Sequence, residues 1–146
     1  MISGKVKEKL DIIDSTLKRY EETIYFDVAN EKIENYCKWC SVNCNGLSLD
    51  DEYIKIIAEI DGFDFNGLSF YSIDECNENN IYESNEIYWE NENLKQYLFL
   101  GEDSISWYGI AIESGEYYIL DKPSGSVMCK CVTFEELFLI ALNSVL

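Results

Sequence analysis

The stretch "DGFDFNGLSFYSI", Asp61 to Ile73, constrains the fold more than any other part of this chain. Gly62, Asn66 and Gly67 bend the backbone inside a run that is otherwise apolar and aromatic. Asp61-Gly62 follows an amphipathic pattern, Tyr53, Ile56, Ile57 and Ile60, and glycine there supplies the left-handed stop that ends a helix. Asn66-Gly67 separates "FDF" from "LSFYSI" as a two-residue hairpin connection, because both central positions of a type I′ turn need positive φ. The chain therefore turns from helix into hairpin within this one segment.

The sequence on either side extends that pattern. Before it, Val6, Leu10, Ile13, Leu17 and Tyr20 recur at helical spacing over residues 5 to 20. A second stripe, Ile33, Cys37, Cys40 and Cys44, predicts a helix that stops near Asn45-Gly46. Ser48, three places before Asp51, is a weak capping pair for the third helix. After it, "YLFLG" (97 to 101), "SWYGIAIE" (106 to 113), "EYYILD" (116 to 121) and "SVMCKCV" (126 to 132) read as short strands, with turns at Ser114-Gly115 and "KPSG". Thr133 caps a last helix whose first turn carries Glu135 and Glu136, with Phe134, Leu137, Phe138, Ala141 and Leu142 inward. The expected fold is α+β: one domain over residues 1 to 146, with a hairpin-rich, mostly antiparallel central sheet, N-terminal helices and a C-terminal helix packed on it.

Charge narrows the partners. The chain has 28 acids against 11 bases, a net charge of −17, and residues 23 to 146 carry the whole excess. Such a field repels nucleic-acid phosphates and anionic membranes and speeds encounter with basic partners. At 47 % apolar and 14 % aromatic the chain still has the material for a core. "MISGKVKEKL" opens with a charged helical pattern, and "LFLIAL" is too short to span a bilayer, so the expected location is the cytoplasm and the six cysteines are expected to be reduced.

Histidine is absent, which removes Ser-His-Asp and Cys-His catalysis and histidine-bearing zinc sites. "GEDSISWYG" lacks the lysine and glycine spacing of a phosphate loop. "CKWC" (37 to 40) and "CKC" (129 to 131) could together offer four thiolates to zinc, and Cys-x-x-Cys can also be a redox pair. Cys37, Cys40 and Cys44, however, continue the stripe begun by Ile33, and Cys129 and Cys131 are expected to share a strand face with Val127. The reading taken is that the cysteines pack as small hydrophobes, with no metal and no cofactor.

Residues 74 to 92 hold seven acids, Asp74, Glu75, Glu78, Glu83, Glu86, Glu90 and Glu92, and no base, with Tyr82, Tyr88 and Trp89 among them. Acids beside exposed aromatics suit a protein-binding surface, since such rings carry hot-spot energy and charge steers approach. The alternative is a solvated loop and helix whose rings fold back on the sheet. Asp64 on the hairpin and Glu102-Asp103 after the first long strand are expected to extend the surface.

The order of these motifs resembles the SUKH superfamily, in particular its bacterial YrhA-like branch. The likeness is carried by "LDDEYIKIIAEIDGFDFNGLSFYS" (49 to 72), then "NEIYWEN", "YLFLGED", "WYGIAIESGEYYILDKPSGSV" and the closing "TFEELFLIAL". It covers residues 30 to 146, with the helix of residues 1 to 22 also in place. Asp50 stands where that family often has proline, and the cysteines are unusually many. The resemblance implies an α+β domain without catalytic residues, and many bacterial members resemble immunity proteins that neutralise a cognate toxin domain, often a nuclease. It thus leads to the expectation of a non-enzymatic inhibitor whose acidic face covers a basic protein partner. The alternative is a regulatory, scaffold or small-ligand-binding domain with no toxin partner.

Overall fold

The structure is a computed structural model that describes residues 2–146. Six strands form one sheet in the order β1 to β6: β1 (Phe63–Phe65), β2 (Leu68–Phe70), β3 (Tyr97–Glu102), β4 (Ser106–Ala111), β5 (Tyr117–Asp121) and β6 (Val127–Cys131). Each pairs antiparallel with its neighbour in sequence, so the sheet is a pure meander. At the β1–β2 turn Asn66 and Gly67 have φ of 49° and 86°, the conformation the Asn-Gly pair predicts.

Helices cover both sides. On one side α5 (Phe134–Asn143) packs on β5 and β6, and α1 (Gly4–Leu17) and α3 (Asp51–Glu59) pack against α5. Phe70 of the sheet stacks on Tyr108 and meets Phe138 of α5 there, while Phe134 stacks on Phe138 and Tyr117 packs on Phe134. On the opposite side α4 (Ile81–Tyr88) lies on β3, and Tyr88 meets Phe99 and Trp107. Adjacent residues of a strand point to opposite faces, so Trp107 and Tyr108 serve the two layers. Helix α2 (Asn30–Asn43) joins the two layers, touching α3 through Tyr36–Tyr53 and α4 through Tyr36–Tyr82.

The α5 prediction holds residue by residue: Thr133 Oγ1 accepts from Glu136 N at 3.1 Å, and all five named apolar residues are buried. Elsewhere tertiary contacts move the pattern. Tyr20 falls in a 3₁₀ turn (Lys18–Tyr20) and is 72 % exposed, because α1 has already ended. In α2 the buried line is Tyr36, Cys40 and Cys44, with Ile33 and Cys37 only half-buried, because a tyrosine flanked by polar residues rotates inward to bond the Tyr53 hydroxyl at 2.8 Å. Asp50, not Ser48, precedes α3, and its carboxylate accepts from the Tyr117 hydroxyl. In β6 the register shifts at Met128, so Val127 pairs with Leu120 while Cys129 pairs with Ile119; Val127 does not share the face of Cys129 and Cys131.

One buried polar residue completes the sheet. Strand β2 ends at Phe70, and Tyr71 N makes the next bond to Leu100 O at 3.0 Å. Asn85 of α4 then takes the place of the missing strand: its Oδ1 accepts from Phe99 N at 2.7 Å and its Nδ2 donates to Phe99 O at 2.9 Å and to Ile81 O at 2.8 Å. The side-chain amide does what a neighbouring peptide would do, and a bulge at Leu100 adjoins it.

Candidate functional site

The acidic segment is anchored before it reaches α4. Ser72 N donates to Asn79 O at 3.0 Å and Ile81 N to Ser72 O at 2.8 Å, which pins both ends of the intervening loop. Ile73 N donates to Asp61 Oδ1 at 2.8 Å. Asn80, almost fully buried, caps α4: its Oδ1 accepts from Glu83 N at 2.9 Å and its Nδ2 donates to Asn77 O at 2.9 Å.

This loop, α4 and α2 border an open cleft of about 690 Å³. Asp74, Glu75, Tyr82, Glu83 and Glu86 of the predicted surface line it, and α2 contributes Lys32, Asn35 and Trp39. Four carboxylates therefore face one ammonium. Asp74 accepts from Cys76 N at 3.0 Å and pairs with Lys32 Nζ at 3.0 Å; those two contacts hold its carboxyl below the usual carboxylate range, and Asp74 in turn raises the Lys32 ammonium above its ordinary value. Among the described residues, the carboxylates of Glu75, Glu83 and Glu86 have neither an ion-pair nor a hydrogen-bond partner.

The cleft's aromatic wall is rigidly built. Trp39 stacks on Trp89 at 5.7 Å with 9° between ring planes, and Tyr82 meets Trp39 edge-on at 5.0 Å. Trp89 Nε1 donates to Tyr97 O at 2.7 Å and the Tyr82 hydroxyl to Ile73 O at 3.0 Å, so the two rings that pack on Trp39 are fixed at their polar ends. Burial pushes the Tyr82 hydroxyl up, which keeps it a donor.

The remaining predicted residues lie outside this cleft. Tyr88 and Glu102 belong to an internal network: Lys122 Nζ reaches Glu102 Oε1 at 2.6 Å, the Tyr88 hydroxyl donates to Glu102 Oε2 at 2.5 Å, and the Tyr71 hydroxyl also donates to Glu102. Burial alone would raise the Glu102 carboxyl, but Lys122 and the two tyrosines outweigh it and hold it below the ordinary value. Burial and the neighbouring carboxylate push the Tyr88 hydroxyl up to about 12. Asp103 builds the β3–β4 turn, accepting from Ile105 N at 2.9 Å, Ser106 N at 2.7 Å and the Tyr108 hydroxyl at 2.7 Å. Glu102 and Asp103 thus spend their carboxylates inside the fold, and Trp89 stands behind Trp39 as its support. Asp64 is held by Ser69 and by Asn79, at 3.4 Å, next to the loop that carries the exposed Glu78. Glu90 and Glu92 are exposed beyond the end of α4, and Glu92 pairs with Lys95 at 3.1 Å.

Sequence reasoning missed the whole α2 contribution. Trp39 lies off the Ile33–Cys44 stripe, and a tryptophan on the polar side of a helix was the available signal. The cysteines are free thiols, with Cys40, Cys44 and Cys131 buried and Cys76 exposed. Among the described residues, no group of three or more His, Cys, Asp or Glu is placed to hold a metal ion, and no helix is long and apolar enough to cross a membrane. Neither models of protein families nor curated proteins yield a match to this chain.

Proposed function

We propose that this chain acts by binding and not by turnover: an immunity protein of the SUKH kind that neutralises a basic toxin domain of the nuclease class by covering it. The supporting observation is the cleft, where three unpaired carboxylates and the Asp74–Lys32 pair surround a fixed aromatic wall. Acids without internal partners stay available to an incoming cation, and rings that need no reordering bind at lower entropic cost. A nuclease must hold phosphates and so presents the complementary charge. The test is to find whether the neighbouring gene encodes a toxin domain and, with that domain, to carry out pull-down and growth rescue. Binding weakened at least about tenfold by E83K/E86K at low salt supports the reading; unchanged affinity overturns the proposed surface.

A second reading is favoured by the cleft's size. At about 690 Å³ it falls within the ~300–1,000 Å³ range of small-molecule sites. A regulatory or scaffold domain taking a small ligand there fits a gene beside metabolic enzymes instead of a large secreted protein.

A further inference from the structure

We infer that strand β6 pairs antiparallel with β6 of a second copy of this chain about a two-fold axis, joining two six-stranded sheets into one. This surface is separate from the cleft of the proposed function, to which β6 contributes no residue. An edge strand leaves backbone N–H and C=O groups without a ladder partner, and a chain that stays alone shortens, charges or covers its edges. Edge β1 is blunted in that way: it is three residues long and its central Asp64 is exposed. Edge β6 is five residues long, with Val127, Met128 and Lys130 exposed and Cys129 half-buried, so no other described segment lies along it.

Charge decides what meets this edge. The chain carries −17 overall, yet residues 122 to 134 hold two lysines and no acid, and both lysines are paired within the chain, Lys122 with Glu102 and Lys130 with Glu116. The strip is therefore neutral and offers a countercharge to neither a basic nor an acidic partner. It offers peptide groups and apolar side chains: Val127, Met128 and Val132 are 54, 53 and 87 % exposed. Ile105, also exposed, continues the patch, since Lys122 N donates to its carbonyl at 3.0 Å and the adjoining Ser106 Oγ reaches Met128 Sδ at 4.0 Å.

A second copy fits those terms. An antiparallel edge is complementary to itself, because the two-fold axis turns each donor of one strand toward an acceptor of the other. Two copies meet along this strip with no acid of either strand facing the other. The assembly also closes: pairing uses both β6 edges and leaves only the two blunted β1 edges, so growth stops at two. The bulge at Met128 twists the strand, and Glu136 Oε2 already accepts from Val132 N at 2.8 Å, which keeps the pairing short and the dimer weak.

The experiment is analytical ultracentrifugation of the full chain from about 10 μM to about 1 mM, with amide hydrogen exchange on the same samples. Expected is a monomer–dimer equilibrium with a dissociation constant of about 10–500 μM, since a short edge buries less than the ~1,200 Å² of a standard interface. Raising salt from about 0.05 M to about 0.5 M tightens it at least about twofold, because screening weakens the repulsion between two negative chains. The amides of Val127 to Cys131 exchange at least about threefold more slowly at the high concentration. V127E/M128E stays monomeric with a native circular dichroism spectrum, while V42E/I87E, which adds the same charge at exposed positions of α2 and α4, still dimerises. A monomer at about 1 mM, a dimer that salt weakens, protection centred away from β6, assemblies larger than two, or equal loss in V42E/I87E would overturn the inference. So would β6 amides that gain protection only when a toxin domain is added, which would assign the edge to that partner. Dimerisation without any captured toxin leaves the inference standing and counts only against the immunity role.

Discussion

Replacing Asn85 by alanine tests whether one side chain finishes the sheet. The amide satisfies both Phe99 N–H and Phe99 C=O, and Asn85 and Phe99 are fully buried, with 0 % exposure each. Removing it orphans two backbone groups in the interior, each costing about 1–3 kcal/mol. The expected loss is therefore about 2–6 kcal/mol, well above the ~1 kcal/mol of an average substitution. Urea unfolding followed by indole fluorescence reads it directly. With a slope of about 2 kcal/mol per molar urea, a 3 kcal/mol loss lowers the midpoint by about 1.5 M at unchanged slope. N93A, at an exposed position, serves as the control. A loss for N85A under about 0.5 kcal/mol, or equal to that of N93A, would refute the idea that Asn85 stands in for a strand. N85D sharpens the test, since an ionised carboxylate still accepts from Phe99 N–H but offers nothing to Phe99 C=O. Burial raises its pKa in the folded state, so its deficit is smallest below the unfolded value of about 4 and grows as pH rises.

Three further outcomes are expected. G101A brings a Cβ to 2.5 Å from the Ser69 carbonyl oxygen, a backbone atom that cannot yield cheaply, so thermal unfolding should show a loss of at least about 2 kcal/mol; a stable variant would mean that β2 and β3 do not approach so closely. Y36F orphans the buried Tyr53 hydroxyl at a cost of about 1–3 kcal/mol, while Y36F/Y53F costs no more than either single change; strict additivity in a double-mutant cycle would count against the pair. The folded-state pKa of Glu102 is lowered, so its contribution is present above the unfolded value of about 4.3 and is lost as pH falls through the folded value; E102Q should flatten the acid limb of a stability–pH profile, and an unaltered limb would remove Glu102 from the network.

Local sequence was enough to specify where the chain turns and what each run becomes. Asn66-Gly67 needed no partner to demand a tight hairpin, and Thr133 with the Phe134–Leu142 stripe described a helix that the structure reproduces, because caps, positive φ and periodicity are properties of a few adjacent residues. Composition likewise set the sign of the field. Which acids remain available was decided only by packing. Glu83 and Glu102 are alike in sequence, yet Glu102 falls beside Lys122 and two tyrosines from three separate segments of the chain, while Glu83 faces an open cleft. Trp39 and Lys32 reach that cleft from a helix some forty residues earlier, and Asn85 meets Phe99 only once α4 docks on β3. Contacts between distant segments leave no local period behind, so the elements could be read one at a time but the site they form could not.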